Sequence, residues 1–177
     1  MHEPAAHPSP EPDAPRAAER RLPEPRLLSG VYGLVLASAL AAALDSPDEQ
    51  TSPGSDALWV LLTAVAAAAA HGYAHVLSHR MSAEPGGLLA GLRAMIAEWP
   101  VVAAAVPTVV LLLLAVPDWW TEASAVEVAL VVNTLILAGW GMWTARRAGR
   151  TWPASLRAGA GDMLIGLVII GANAVIK

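Results

Sequence analysis

The stretch AHGYAHVLSHR brings together His71, Tyr73, His75 and His79, groups able to carry a proton or hold a metal. Positions i, i+4 and i+8 drift by only about 80° around a helix, so the three histidines share one face. Neutral imidazole ligates Zn, Cu, Fe and Ni. It also changes charge near neutral pH, which suits a proton relay. The spacing lacks the glutamate of the H-E-x-x-H metalloprotease helix. One helix rarely closes a metal shell, so other elements must supply partners: Asp162, Glu98 and Glu84 are the candidate carboxylates. The same histidines have a structural use, with His79 anchoring at lipid headgroups and His71 and His75 hydrogen-bonding neighbouring helices.

Other chemistry is sparsely represented. The chain has no cysteine, which excludes disulfides, thiolate metal sites and a Cys nucleophile. No Ser-His-Asp signature, Gly-rich phosphate loop or EF-hand occurs. Acidic residues outnumber basic ones, 15 to 11, and no basic patch marks a nucleic-acid partner.

The elements that position the histidines follow from composition. Of 177 residues, 55% are hydrophobic and 15% charged, with a mean hydropathy of +0.50. A soluble domain carries roughly 25% charged residues. The chain therefore reads as an all-α polytopic membrane helix bundle, multi-pass in the cell membrane, with the lipid bilayer as its main partner. Residues 1–25 hold seven of the fourteen prolines and read as a disordered cytoplasmic tail. The membrane domain is then 26–177. A spanning helix needs roughly 20 apolar residues, and five runs qualify: 27–44, 57–79, 100–116, 123–145 and 158–176. Between the second and third, GGLLAGLRAMIAEW reads as an interfacial amphipathic helix.

Charge sets the expected orientation. Ten of the eleven basic residues fall in the tail and in alternate loops, and only Lys177 falls on the other side. This predicts the N-terminus inside and the C-terminus outside. Trp59, Trp119 and Trp120 would form the outer aromatic belt, and Trp99, Trp143 and Trp152 the inner one. Ala41-Ala42-Ala43 after Arg20, Arg21 and Arg26 also fits a signal-peptide cleavage site, but the long Pro-rich flank favours a retained span.

Within this topology the histidine stripe descends through the inner leaflet, with His71 about 21 Å below Ala57. Asp162 enters from span five near the level of His75, and Glu98 stands at the inner mouth of span three. The expectation is a water-accessible site of His71, His75 and Asp162, with His75 paired to Asp162. Glu84 and Glu98 otherwise read as solvated loop charges, and Asp162 as a charge favoured by the helix dipole. Glu127 would snorkel outward. Asn133, Thr134 and Ser38 fall mid-span, to line a site or to hydrogen-bond between helices. Gly30, Gly33, Gly139, Gly141, Gly159, Gly161, Gly166 and Gly171 imply close helix approach, within one chain or across a homodimer.

Trp143–Arg147, Gly149-Arg150, Arg157, Gly159 and Met163-Leu164-Ile165-Gly166 resemble the vacuolar-iron-transporter-like (VIT-like) family, as do Gly30, Gly33, Leu34 and Val35 in span one. The resemblance implies a five-span, N-inside plan. Tyr32-Gly33 stands where that family has Asp-Gly, and about twenty residues replace its Glu-rich domain, so its metal ligands do not carry over. The HxYxH-like element is also similar to one in small multi-span membrane proteins of actinobacterial type.

Three function classes follow. One is a small transporter of a cation or proton using the His stripe with Asp162. Another is a non-transporting membrane protein that packs with a partner or lipid. The third is an enzyme with a His-ligated transition metal as cofactor, a chemistry that usually needs more His clusters than this chain contains.

Overall fold

The computed structural model describes residues 24–45, 52–81, 92–93, 96–117 and 120–176, apart from the side chains of 24–28 and 78–81. These residues form α1 (Glu24–Leu44), α2 (Pro53–Met81), α3 (Trp99–Leu113), α4 (Glu122–Arg147) and α5 (Trp152–Ile176), with no strand among them. The tail expected over 1–25 lies outside the described residues, except where Glu24 and Pro25 open α1. Most of the expected interfacial helix lies outside them too.

Local chemistry fixes the helix ends. Proline occupies the first turn of α2 (Pro53), α3 (Pro100) and α5 (Pro153), where its missing N–H costs nothing. At the entry to α2, the Ser55 N–H donates to Ser52 Oγ and the Ser52 N–H to Ser55 Oγ, at 3.3 and 3.2 Å. Thr121 caps α4 by accepting from the Ser124 N–H at 3.2 Å. Helix α4 stops at Gly149, whose φ of 76° is the left-handed conformation that a glycine adopts without strain. There the Gly149 N–H donates to the Arg146 carbonyl and the Arg150 N–H to the Ala145 carbonyl, the paired bonds of a Schellman stop.

These caps shift several expected boundaries. Helix α2 starts at Pro53 instead of Ala57, and α5 at Trp152 instead of Ala158. Helix α3 ends at Leu113, followed by turns through Pro117. Three helices are long and apolar enough to cross a membrane, over Pro53–Leu77, Glu122–Arg147 and Trp152–Ile176. The apolar stretches of α1 and α3, Ser29–Leu44 and Trp99–Leu113, are shorter than a full span.

The helices alternate in direction. Gly30 near the start of α1 faces the Trp140 ring near the end of α4, and Gly54 at the start of α2 faces Val116 beyond α3. One end of the bundle therefore gathers the starts of α1, α3 and α5 with the ends of α2 and α4. Arg146, Arg147 and Arg150 lie there, whereas Asp45, Asp56, Glu122 and Glu127 lie toward the other end. Small side chains (Ala37, Ala41, Ala57, Ala64, Ala105, Ala125) dominate the core, with Val60, Val126, Leu112 and Leu130 filling between them. Small residues let backbones approach closely, as membrane helix packing requires. Helix α3 packs on α1, α2 and α4; α5 packs chiefly on α4. The outward faces of α2 and α5 carry exposed Trp59, Leu62, Leu164 and Val168. Such a continuous apolar exterior suits lipid far better than water.

Candidate functional site

Glu98 stands immediately before α3 and is only 5% exposed. The Ser29 hydroxyl of α1 donates to its Oε2 at 2.6 Å. From α2, His75 Nε2 lies 3.4 Å from its Oε1. The helix dipole at the α3 N-terminus favours the carboxylate there. The His75 side chain is half exposed, so the pair couples a buried acid to an imidazole that reaches the surface. Such a pair can pass a proton between an accessible nitrogen and a sheltered oxygen.

The expected partner of His75 is thereby corrected. Asp162 lies against Gly141 of α4, while His75 meets Glu98. Along the bundle, Ser29 meets Glu98, its neighbour Gly30 meets Trp140, and the next residue, Gly141, meets Asp162, so the two acids lie near one level. Direction around the bundle is what differs. Helix α2 packs on α3 and α1, whereas α5 packs on α4, so α4 holds Asp162 away from the histidine face. The reading of Glu98 as a solvated loop charge is corrected as well, because it is the N-cap residue of α3, which starts at Trp99, and lies buried against Ser29 and His75.

His71 is held differently from His75. Its Nδ1 donates to the Ala67 carbonyl one turn back, at 3.0 Å. Its ring packs against that of Tyr32 on α1, with centroids 4.9 Å apart and planes tilted by 56°. The side chain of His79 and all of Glu84 lie outside the described residues. Among the described residues, no three of His, Asp and Glu converge to hold a metal. His75 and Glu98 supply two donors, fewer than a transition-metal site needs.

A second polar cluster lies deeper in the bundle. Asn133 of α4, fully buried, donates one amide hydrogen to Ser38 Oγ at 2.9 Å and the other to Thr108 Oγ1 at 2.7 Å. Ser38 in turn donates to the Leu34 carbonyl at 2.8 Å. Among the described residues, Asn133 Oδ1 is buried without a partner. Nine residues of α1 separate Ser29 from Ser38, about 14 Å of helix. Between the two clusters, Gly33 is pressed onto Val101 and Ala104 of α3. Thr134 turns its hydroxyl to the Leu130 carbonyl at 2.7 Å and its side chain onto Gly166, and Glu127 is exposed.

Sequence reasoning missed Ser29 and Thr108. Each had a readable signal: Ser29 adjoins the small pair Gly30 and Gly33, and Thr108 follows Pro107, which interrupts the α3 hydrogen-bond ladder.

No family model, curated protein or solved structure matches the chain.

Proposed function

We propose that the chain is a multi-pass protein of the cell membrane, with five spans and a cytoplasmic N-terminus, that moves a small cation or proton using His75, Glu98 and Ser29. The reading rests on one observation above all: a carboxylate that is 5% exposed is joined to a half-exposed imidazole where three helix ends meet. Proton-coupled carriers need a group that exchanges protons with water yet is anchored among the helices. The ten-to-one division of basic residues supports the orientation, because positive loops stay cytoplasmic. That orientation opens the His75–Glu98 pair to the cytoplasm. The five-span plan is also the one implied by the likeness to the VIT-like family.

The test is flux of protons and monovalent cations into proteoliposomes loaded with a pH-sensitive dye. Wild type should carry a pH-dependent flux. His75→Asn, which keeps hydrogen bonding but cannot titrate, should abolish the pH dependence while leaving the folded yield intact. Glu98→Gln should do the same. Absence of wild-type flux sinks the transport reading.

A second reading is favoured by His71, whose ring packs against Tyr32 and whose Nδ1 bonds to the Ala67 carbonyl. In that reading the histidines join α1 to α2 and the protein serves by packing with a partner or lipid. Loss of stability in His75→Asn, with no flux in wild type, supports it.

A further inference from the structure

Asp162 sits ten residues into α5, about 15 Å from the helix start. Its carboxyl group occupies the space over Gly141 of α4 where a side chain would otherwise be. A methyl group at Gly141 would strike Asp162 Oδ2, and would lie 2.8 Å from its Cγ and 3.2 Å from the Ala158 carbonyl oxygen. Thus α4 presents bare backbone to the carboxyl.

The charged groups around it are committed elsewhere. On α4, Arg146 lies over the Trp152 ring at 4.6 Å and donates to the Arg150 carbonyl, and Arg147 lies over the Trp143 ring at 4.7 Å. On α5, Arg157 Nε donates to the Pro153 carbonyl. On α1, Tyr32 is the described titratable group, and it stacks on His71. Among the described residues, Asp162 has no hydrogen-bond or ion-pair partner. Along α5 it is followed by Met163, Leu164 and Ile165, all exposed apolar side chains. A carboxylate with no counter-charge among the described residues, bordered by a lipid-facing apolar surface, is costly in its ionised form. A neutral acid fits the same space without that cost.

We propose that Asp162, seated on Gly141 in the α4–α5 groove, is a proton-binding site separate from the His75–Glu98 pair. The proposal rests on the membrane placement of α5 given above. It does not require transport, so the two can fail independently. The carboxyl group takes up a proton on its Oδ atom and presents the resulting acid at the lipid-facing edge of the groove.

Such an acid should react with a lipophilic carbodiimide. The acid O–H adds across one C=N bond: its proton goes to nitrogen and the carboxyl oxygen bonds to the central carbon. The acyl group of this O-acylisourea then migrates from oxygen to nitrogen, leaving a stable N-acylurea and no leaving group. The experiment treats the full chain in lipid nanodiscs at pH 7.5 with N,N′-dicyclohexylcarbodiimide, and in parallel with a water-soluble carbodiimide plus glycine ethyl ester. Peptide mass spectrometry reads the adducts. The expected result is a dicyclohexyl adduct at Asp162, at least tenfold above the Asp162 modification by the water-soluble pair, and lost in Asp162→Asn. No Asp162 adduct with the lipophilic reagent overturns the proposal, as does equal modification by both reagents. Protection of Asp162 by 100 mM NaCl relative to choline chloride also overturns it, by making the ligand a metal cation instead of a proton. Because the decisive measurement is on wild type, a poorly folding Asp162→Asn does not blunt it.

Discussion

Gly33 of α1 lies so close to Val101 of α3 that a methyl group on Gly33 would come within 2.5 Å of the Val101 carbonyl oxygen. The same methyl would be 2.9 Å from Ala104 Cβ. Backbone cannot step aside as a flexible side chain can, so the two helices would have to separate. Overpacking of this kind costs about 1–3 kcal/mol. Gly33→Ala should therefore lower the thermal midpoint of the protein in detergent. Gly30→Ala places its methyl 3.5 Å from the Trp140 ring, an ordinary contact, and should be tolerated. Gly139→Ala meets nothing within 4 Å and should be neutral or stabilising, since alanine is the better helix former. Equal losses in all three would contradict the close α1–α3 approach.

Asn133 ties three helices together through Ser38 and Thr108, and the strength of that tie is measurable. Interhelical hydrogen bonds in membranes average about 0.6 kcal/mol, with a maximum near 1.7. Asn133→Ala removes two and should cost about 1–2 kcal/mol. Ser38→Ala removes one and should cost roughly half as much, and the double variant should be less than additive because the two share a bond. Unfolding in mixed micelles gives all three values. Full additivity would show that the two side chains do not interact.

How much of this was legible in the sequence divides cleanly between depth and direction. Hydrophobic run length and alternating charge lead one to expect Ser38 and Asn133 at mid-span, and Asp162 near the level of His75. Those are distances along helices, which a fixed rise per residue converts into depth. Which way each helix faces depends on who its neighbours are. The glycine pattern marked close approach but not its partners: Gly33 meets α3, Gly141, Gly159 and Gly166 serve the α4–α5 contact, and Gly139, Gly161 and Gly171 point into open space. The pairing of His75 with Glu98 is therefore not legible in the sequence, although both residues stand out there as candidates. In the sequence Glu98 reads as loop because it precedes the apolar run. In the structure Glu98 is the N-cap residue of α3, whose first residue is Trp99, and contacts with Ser29 of α1 and His75 of α2 hold its carboxylate indoors.

Gly149 gives a local test of the α4–α5 hairpin. Its φ of 76° places it where a side chain costs about 1–2 kcal/mol. Gly149→Ala should destabilise by about that amount, although no atom lies within 4 Å of the added methyl. Gly149→Asn should recover part of the loss, since asparagine tolerates the left-handed conformation better. Thermal unfolding of the two variants side by side decides it. A larger loss for asparagine would mean that crowding, and not backbone conformation, selects glycine here.

The His75–Glu98 pair is unequal in burial, and the inequality predicts which partner is harder to remove. Glu98 is 5% exposed and depends on Ser29, His75 and the α3 N-terminus for its stabilisation, whereas the His75 side chain is half exposed and reaches water. Taking away the imidazole strands an acid inside the bundle with one hydroxyl donor. An under-satisfied buried polar group costs about 1–3 kcal/mol, and a charged one more. Taking away only the charge on Glu98 leaves an amide whose oxygen still accepts from Ser29, and a histidine that solvent accommodates. His75→Ala should consequently cost more stability than Glu98→Gln, by about 1 kcal/mol or more. Glu98→Gln in the His75→Ala background should recover part of the loss, because the stranded charge is gone. Ser29→Ala should add to the His75→Ala penalty beyond simple summation, since it removes the hydroxyl donor to the same carboxylate. Chemical unfolding in detergent of the three single variants and the two doubles gives the cycles. Equal costs for His75→Ala and Glu98→Gln, with no recovery in the double variant, would show that the carboxylate does not rely on the imidazole.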